Sequence, residues 1–295
     1  MSAAPIERLS SYVGTLRTRQ GVLARATLGA PGEADDALGR ELAAAMAAEV
    51  RPDGTVGGGP VPTIWRAHEL LDLGRRPDDP AVSRILRWLL DRQGRAGAYG
   101  EACDKTRHAQ GVCGHCLGGF FSPAPAEQRL TPITLPNGKA FRAEPAARFA
   151  ISCLGLRAAL RAGLRDAPGV VRHLESLRTL AARWTDWTGF FAPDVLVAGL
   201  HALALGGPDY RPAVSAVVET VAAHQGLDGL WPSADPFATL EALMATGLPG
   251  AHAAVRHAAP ALASRQREDG TFGMTAPQER ALIGLRALRW AESAL

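Results

Sequence analysis

The stretch from Cys103 to Cys116 reads Cys-Asp-Lys-Thr-Arg-His-Ala-Gln-Gly-Val-Cys-Gly-His-Cys and holds three of the chain's four cysteines and two of its eight histidines. Thiolate and imidazole are the ligands a tetrahedral zinc ion prefers, and Cys103, His108, Cys113 and Cys116 offer four of them within one loop. A closed set of four is structural, whereas a fourth position left to water makes the ion catalytic. His115 can replace His108 at this spacing. An iron–sulfur cluster would recruit Cys153 as a further thiolate, and without metal the thiols act as small apolar groups. The expectation is zinc, structural ahead of catalytic.

A second chemistry rests on scattered acids and bases. Asp186, Asp194, Asp235 and His201 are candidates for proton transfer, with Trp65, His68, Arg148, Phe190, Glu241 and Arg280 as the residues that would line a substrate site. Asp194 and Asp235 also stand where a carboxylate caps free helix amides. None of these is a site until a scaffold brings it to the others.

The scaffold must be a large one. At 295 residues and 47% hydrophobic content the chain can bury a sizeable core. Its net charge of +3 is dispersed, without a block of like charges suited to nucleic acid. No run of eighteen uncharged apolar residues suggests an integral membrane segment, and the first residues lack the apolar core of a signal peptide. The expected location is cytoplasmic, where thiols stay reduced and clustered cysteines point to a metal before a disulfide.

A repeat organises the rest. Val50-Arg-Pro-Asp-Gly-Thr-Val-Gly57, Gln93-Gly-Arg-Ala-Gly-Ala-Tyr-Gly100, Gln225-Gly-Leu-Asp-Gly-Leu-Trp-Pro232 and Gln266-Arg-Glu-Asp-Gly-Thr-Phe-Gly273 align without gaps, with glycine fifth and a large apolar residue seventh. Thr185-Asp-Trp-Thr-Gly-Phe-Phe-Ala192 is a weaker copy. The period is about forty residues, interrupted once by an insertion spanning 101–143 that includes the cysteine stretch. A short hairpin is expected at Asn137-Gly138 within it.

Before each turn the apolar spacing predicts one helix: 35–50, 80–93, 167–183, 211–225 and 250–266. After each turn it predicts a second, more apolar one: 61–73, 144–162, 194–205, 237–246 and 278–294. Residues 6–28 are expected to add a sixth inner helix. Gly74, Gly163, Gly206 and Gly247 follow second helices, where a left-handed residue ends a helix most easily. Hairpins of this kind bury their faces only against neighbours, so the expectation is a single all-α domain, an α/α toroid of five to six helical hairpins.

The copies Gln225-x-x-Asp228-Gly229-x-Trp231 and Gln266-x-x-Asp269-Gly270-x-Phe272 resemble the QW repeats of squalene-hopene cyclase and other class II terpene cyclases. That superfamily includes the β subunits of protein prenyltransferases, and the resemblance covers nearly all of the chain outside 101–143. It implies an α/α toroid acting on a hydrophobic, isoprenoid small molecule. The Asp-x-Asp-Asp acid motif of the cyclases is absent, its nearest approach being Glu33-Ala-Asp35-Asp36 at the start of an outer helix. The prenyltransferase zinc ligands are absent too, because Asp235-Pro236-Phe237 lacks the cysteine and 278–294 lacks a histidine. The functional expectation is an enzyme, a cyclase, lyase or transferase of a hydrophobic substrate. A noncatalytic lipid- or protein-binding toroid with structural zinc, and a carbohydrate-active toroid using paired carboxylates, stand as alternatives.

Overall fold

The computed structural model describes residues 4–91, 129–184, 187 and 193–293. Among these, twelve α-helices follow one another: α1 (Ala4–Val13), α2 (Arg19–Thr27), α3 (Glu33–Ala48), α4 (Pro60–Asp72), α5 (Pro80–Asp91), α6 (Glu144–Arg161), α7 (Pro168–Ala181), α8 (Pro193–Ala204), α9 (Arg211–Ala223), α10 (Pro236–Thr246), α11 (Pro249–Ser264) and α12 (Pro277–Glu292). Proline opens seven of them, which suits a first-turn position that has no amide partner to lose. Two short strands, β1 (Ile133–Thr134) and β2 (Ala140–Phe141), pair antiparallel with Ile133 opposite Phe141. They form the hairpin expected at Asn137-Gly138.

The even-numbered helices form an inner ring. Each packs on the next, α2 on α4, α4 on α6, α6 on α8, α8 on α10 and α10 on α12, and α12 packs on α2 to close the circle. The odd-numbered helices lie outside them, as α8 shows by packing on both α7 and α9. The fold is therefore the all-α toroid, with six hairpins. The expected single helix over 6–28 is instead two, because the chain turns between Val13 and Arg19 and Thr18 caps α2 through the amide of Gly21.

Ring closure is written in the turns. The Gln225 side chain donates to the carbonyls of Gly229, in its own turn, and of Ala254, in the outer helix of the next unit. Gln266 repeats this with Gly270 and with Pro5, in α1. The last turn thus treats the first helix as its next unit. Gly229 and Gly270 have φ of +82° and +84°, and a Cβ there would meet the carbonyl oxygens of His257 and Arg8 at 2.3 and 2.5 Å. Only glycine satisfies both the left-handed backbone and that close approach. At the seventh position, Phe272 lies against Gly284 of α12, and Trp231 donates its indole N–H to the Val221 carbonyl at 3.0 Å. Of the four glycines expected to end inner helices, Gly74, Gly163 and Gly247 have positive φ, but after α8 the left-handed residue is Gly207. Gly206 is packed between Tyr210 and Leu174 instead.

The core is apolar, largely aliphatic with aromatic rings among it, yet it encloses histidine. His173 on α7 is fully buried, and desolvation with the neighbouring Arg172 charge pushes its imidazole down to about 3. His68 on α4 is lowered in the same direction, first by burial and then by Arg157 and Arg161. Because these groups bind protons more weakly folded than unfolded, the unfolded chain protonates first as pH falls below about 6.5. Stability is therefore full above that pH and declines from there toward the folded-state value. Urea titrations at pH 7 and pH 5.5 should show a loss of about 1 kcal/mol from His173 alone, and His173→Leu should remove that share. An unchanged pH dependence in the variant would mean that His173 is accessible to protons in the native state.

Candidate functional site

The turn-side mouth of the ring is covered by the β1–β2 hairpin. Its tip is tied to three inner helices: Asn137 donates to Glu241 on α10 at 3.1 Å, Lys139 pairs with Asp194 on α8, and Arg280 on α12 donates to the Asn137 carbonyl at 2.9 Å. Asp235 caps α10 by accepting from the amides of Phe237 and Ala238, and pairs with Arg280 at 2.8 Å. Arg280 also lies over the Phe237 ring. Asp194 accepts from the amide of Asp235 at 3.1 Å. These carboxylates fasten the hairpin and the first turns of α8 and α10. Beneath the hairpin remains a space of about 30 Å³, room for a single water.

A larger space of about 350 Å³ lies beyond it, lined by Asp72, Arg161, Leu205, Met244 and Ala245 from the ends of α4, α6, α8 and α10, and by Trp65 and Ile283. That volume is at the lower end of small-molecule sites. Arg157, His201 and Glu241 line both spaces, so the two meet at these side chains. Arg161 at one edge is exposed, opening the larger space to solvent.

The electrostatics of this centre follow from burial. Desolvation raises the Glu241 carboxyl above the ordinary carboxylate range, against the pull of Arg157. Desolvation also drives His201 well below the usual imidazole value, reinforced by Arg157 and His68, so it is neutral at pH 7. His68 sits behind Trp65, their ring centroids 5.4 Å apart. Because Arg161 can only donate, its 3.0 Å contact to His68 Nδ1 fixes the tautomer, and Nε2–H donates to the Leu154 carbonyl at 3.0 Å. Arg19, 3% exposed, bridges Asp72 and Glu279 and covers the Trp65 face at 5.1 Å.

No family model matches this chain, and no curated protein sequence does. Solved structures do. The type II terpene cyclase MstE from Scytonema superposes with a TM-score of 0.58 at 14% identity, over 98% of this chain and 97% of that one, in a complex with geranylgeranyl dihydroxybenzoate. Its apo form gives 0.58 at 13% identity over 97% of each chain. The fold is that of a type II terpene cyclase. The ent-copalyl diphosphate synthase from Streptomyces platensis aligns over 93% of this chain but 50% of its own, with a TM-score of 0.51 at 15% identity.

Within this terpene-cyclase fold the sequence-predicted residues separate into groups. His201, Glu241 and Trp65 line the central space. Asp194, Asp235 and Arg280 hold the mouth, and Asp194 also borders the small space. His68 is sealed behind Trp65, and Arg148 is buried against Glu144 at 2.9 Å. Asp186, Phe190, Cys103, His108, Cys113 and Cys116 lie outside the described residues. Among the described residues no group of three or more His, Cys, Asp or Glu is arranged to hold a metal ion. Cys153 is free and buried beside the small space. No described helix is long and apolar enough to cross a membrane.

Sequence reasoning missed Arg19, Asp72, Arg157, Arg161 and Arg286. The signal for Arg157 and Arg161 was present: they continue the Ala150, Cys153, Leu154 stripe of α6 at helical spacing, so two arginines sit on an otherwise apolar inward line.

Proposed function

We propose that this chain is a terpene-cyclase-like enzyme that protonates a carbon–carbon double bond of a hydrophobic, isoprenoid small molecule in its central cavity. Glu241 is the proton donor. The observation that carries this reading is the placement of the Glu241 carboxyl, which borders both spaces and whose affinity for its proton is raised by desolvation. Asn137 donates to one carboxyl oxygen, leaving the other to present the proton. The O–H bond breaks as a C–H bond forms at one alkene carbon, and the second alkene carbon becomes cationic. A neighbouring double bond attacks it and closes a ring. His201, neutral and beside the same space, takes a proton from the carbon adjoining the final cation, regenerating an alkene. His201 then releases that proton to solvent and Glu241 takes one back from solvent, which restores the enzyme. The geranylgeranyl dihydroxybenzoate bound in the MstE complex supports this substrate class.

Incubation with geranylgeranyl dihydroxybenzoate or geranylgeranyl diphosphate in heavy water should give a cyclic product, isomeric with the substrate except for a single incorporated deuterium. Quantitative recovery of both probes, or a product without deuterium, would overturn the reading.

The zinc ion expected from Cys103, His108, Cys113 and Cys116 is proposed as a structural ion of the insertion. Metal analysis should find about one zinc per chain, lost in Cys113→Ser. Stoichiometric zinc in that variant would remove Cys113 from the ligand set.

A further inference from the structure

The central cavity carries more positive charge than its own acids compensate. Arg19, Arg157, Arg161 and Arg286 line it together with Asp72, Glu279 and Glu241. Arg19 pairs with both Asp72 and Glu279, and Arg161 pairs with Asp72 at 2.5 Å. Among the described residues, Arg157 and Arg286 make neither an ion pair nor a hydrogen bond, and the Arg157 Nε is buried without a partner. Glu241 feels the charge of both, but among the described residues it stands within ion-pair distance of neither, its hydrogen bond being to Asn137.

A guanidinium does not shed its proton to escape burial, so two unpaired guanidinium groups share one nearby carboxyl and at least one charge remains to be met from outside the protein. The fork of N–H donors on each side chain fits a carboxylate or phosphate in a bidentate manner, and the cavity opens to solvent beside the exposed Arg161. A carbocation formed here would also be repelled by two unpaired guanidinium groups, unless the molecule that carries it brings an anion of its own.

We infer that Arg157 and Arg286 form an oxyanion-binding site in the central cavity, taking a carboxylate or phosphate group carried by the substrate. That the anion belongs to the substrate rests on the function proposed above; that the site binds an oxyanion does not.

Isothermal titration of the full chain with inorganic pyrophosphate and, separately, with benzoate tests the site without turnover. At least one should bind with unit stoichiometry, the better of the two showing whether phosphate or carboxylate is preferred. Its Kd should rise tenfold or more in Arg157→Gln and by less in Arg157→Lys. Failure of both anions to bind at millimolar concentration, or equal binding by Arg157→Gln, would overturn the inference. Thermal melts without added anion give a second test. Arg157→Gln should melt no lower than wild type, because it removes an uncompensated charge. A clear drop would make Arg157 an internal partner of Glu241 and refute the site. Anion binding without turnover of the geranylgeranyl probes would leave the site standing and remove the cyclase reading; turnover without anion binding would do the reverse.

Discussion

Glu241→Gln should lose about 10²–10⁴-fold in kcat on a geranylgeranyl probe while melting close to wild type. The substitution keeps the side chain's shape and an oxygen that accepts from Asn137, whose 3.1 Å hydrogen bond helps hold the hairpin over the mouth. What it removes is the acidic proton. The opposing expectation is that Glu241 serves only to anchor the hairpin, in which case the glutamine variant keeps its rate. Asn137→Ala separates the two roles, because it releases the hairpin tip from Glu241 but leaves the acid in place. The pH profile adds a sign. A donor must be protonated to act, so kcat should fall as pH rises through the Glu241 value, which burial places above the ordinary carboxylate range. A rate that instead rises with pH would assign Glu241 to base catalysis.

Arg19→Met should cost about 3–5 kcal/mol of folding stability, read from denaturant midpoints. Arg19 sits at the start of α2 and is nearly sealed from water. Its guanidinium bridges Asp72 on α4 and Glu279 on α12, and so stitches together the first and last inner helices where the ring closes. Methionine preserves most of the volume but leaves two largely buried carboxylates without their main partner. Arg161 still reaches Asp72 at 2.5 Å, and Gln20 still donates to Glu279 at 2.9 Å, which sets the expectation at a few kcal/mol instead of complete unfolding. Adding Asp72→Asn to Arg19→Met should restore part of the loss, since the second change removes one stranded charge. A single variant within 1 kcal/mol of wild type would show that the bridge contributes little, as at an exposed ion pair of about that strength.

The two effects meet in one arrangement. Side chains of the inner ring that bridge neighbouring helices also line the central space, so stability and chemistry draw on the same residues. Arg19 lines the space that Glu241 faces. Variants at the centre therefore need a stability measurement beside every rate.

What the amino-acid sequence determined by itself was the repeat and everything local to it. Apolar spacing placed the inner and outer helices within a few residues of their observed ends. Glycine at the fifth turn position was legible because φ near +80° at Gly229 and Gly270 leaves no room for a side chain. The Asn137-Gly138 hairpin was legible for a similar reason, in that tight-turn chemistry is encoded by two adjacent residues.

Tertiary structure alone decided which side chains share a space. The acids at inner-helix starts were natural candidates, but the hairpin from the insertion lies across that end and occupies Asp194 through Lys139, while Asp235 is taken by its own helix and by Arg280. The open volume falls instead toward the last turns of α4, α6, α8 and α10. Nor could the sequence pair Arg19 with Glu279, or leave Arg157 unpaired, since each depends on where the ring closes and which helices then face one another. Periodicity is a property of neighbouring residues and survives in the one-dimensional chain. Charge balance in a cavity is a sum over helices distant in sequence, and it exists only once the circle is complete.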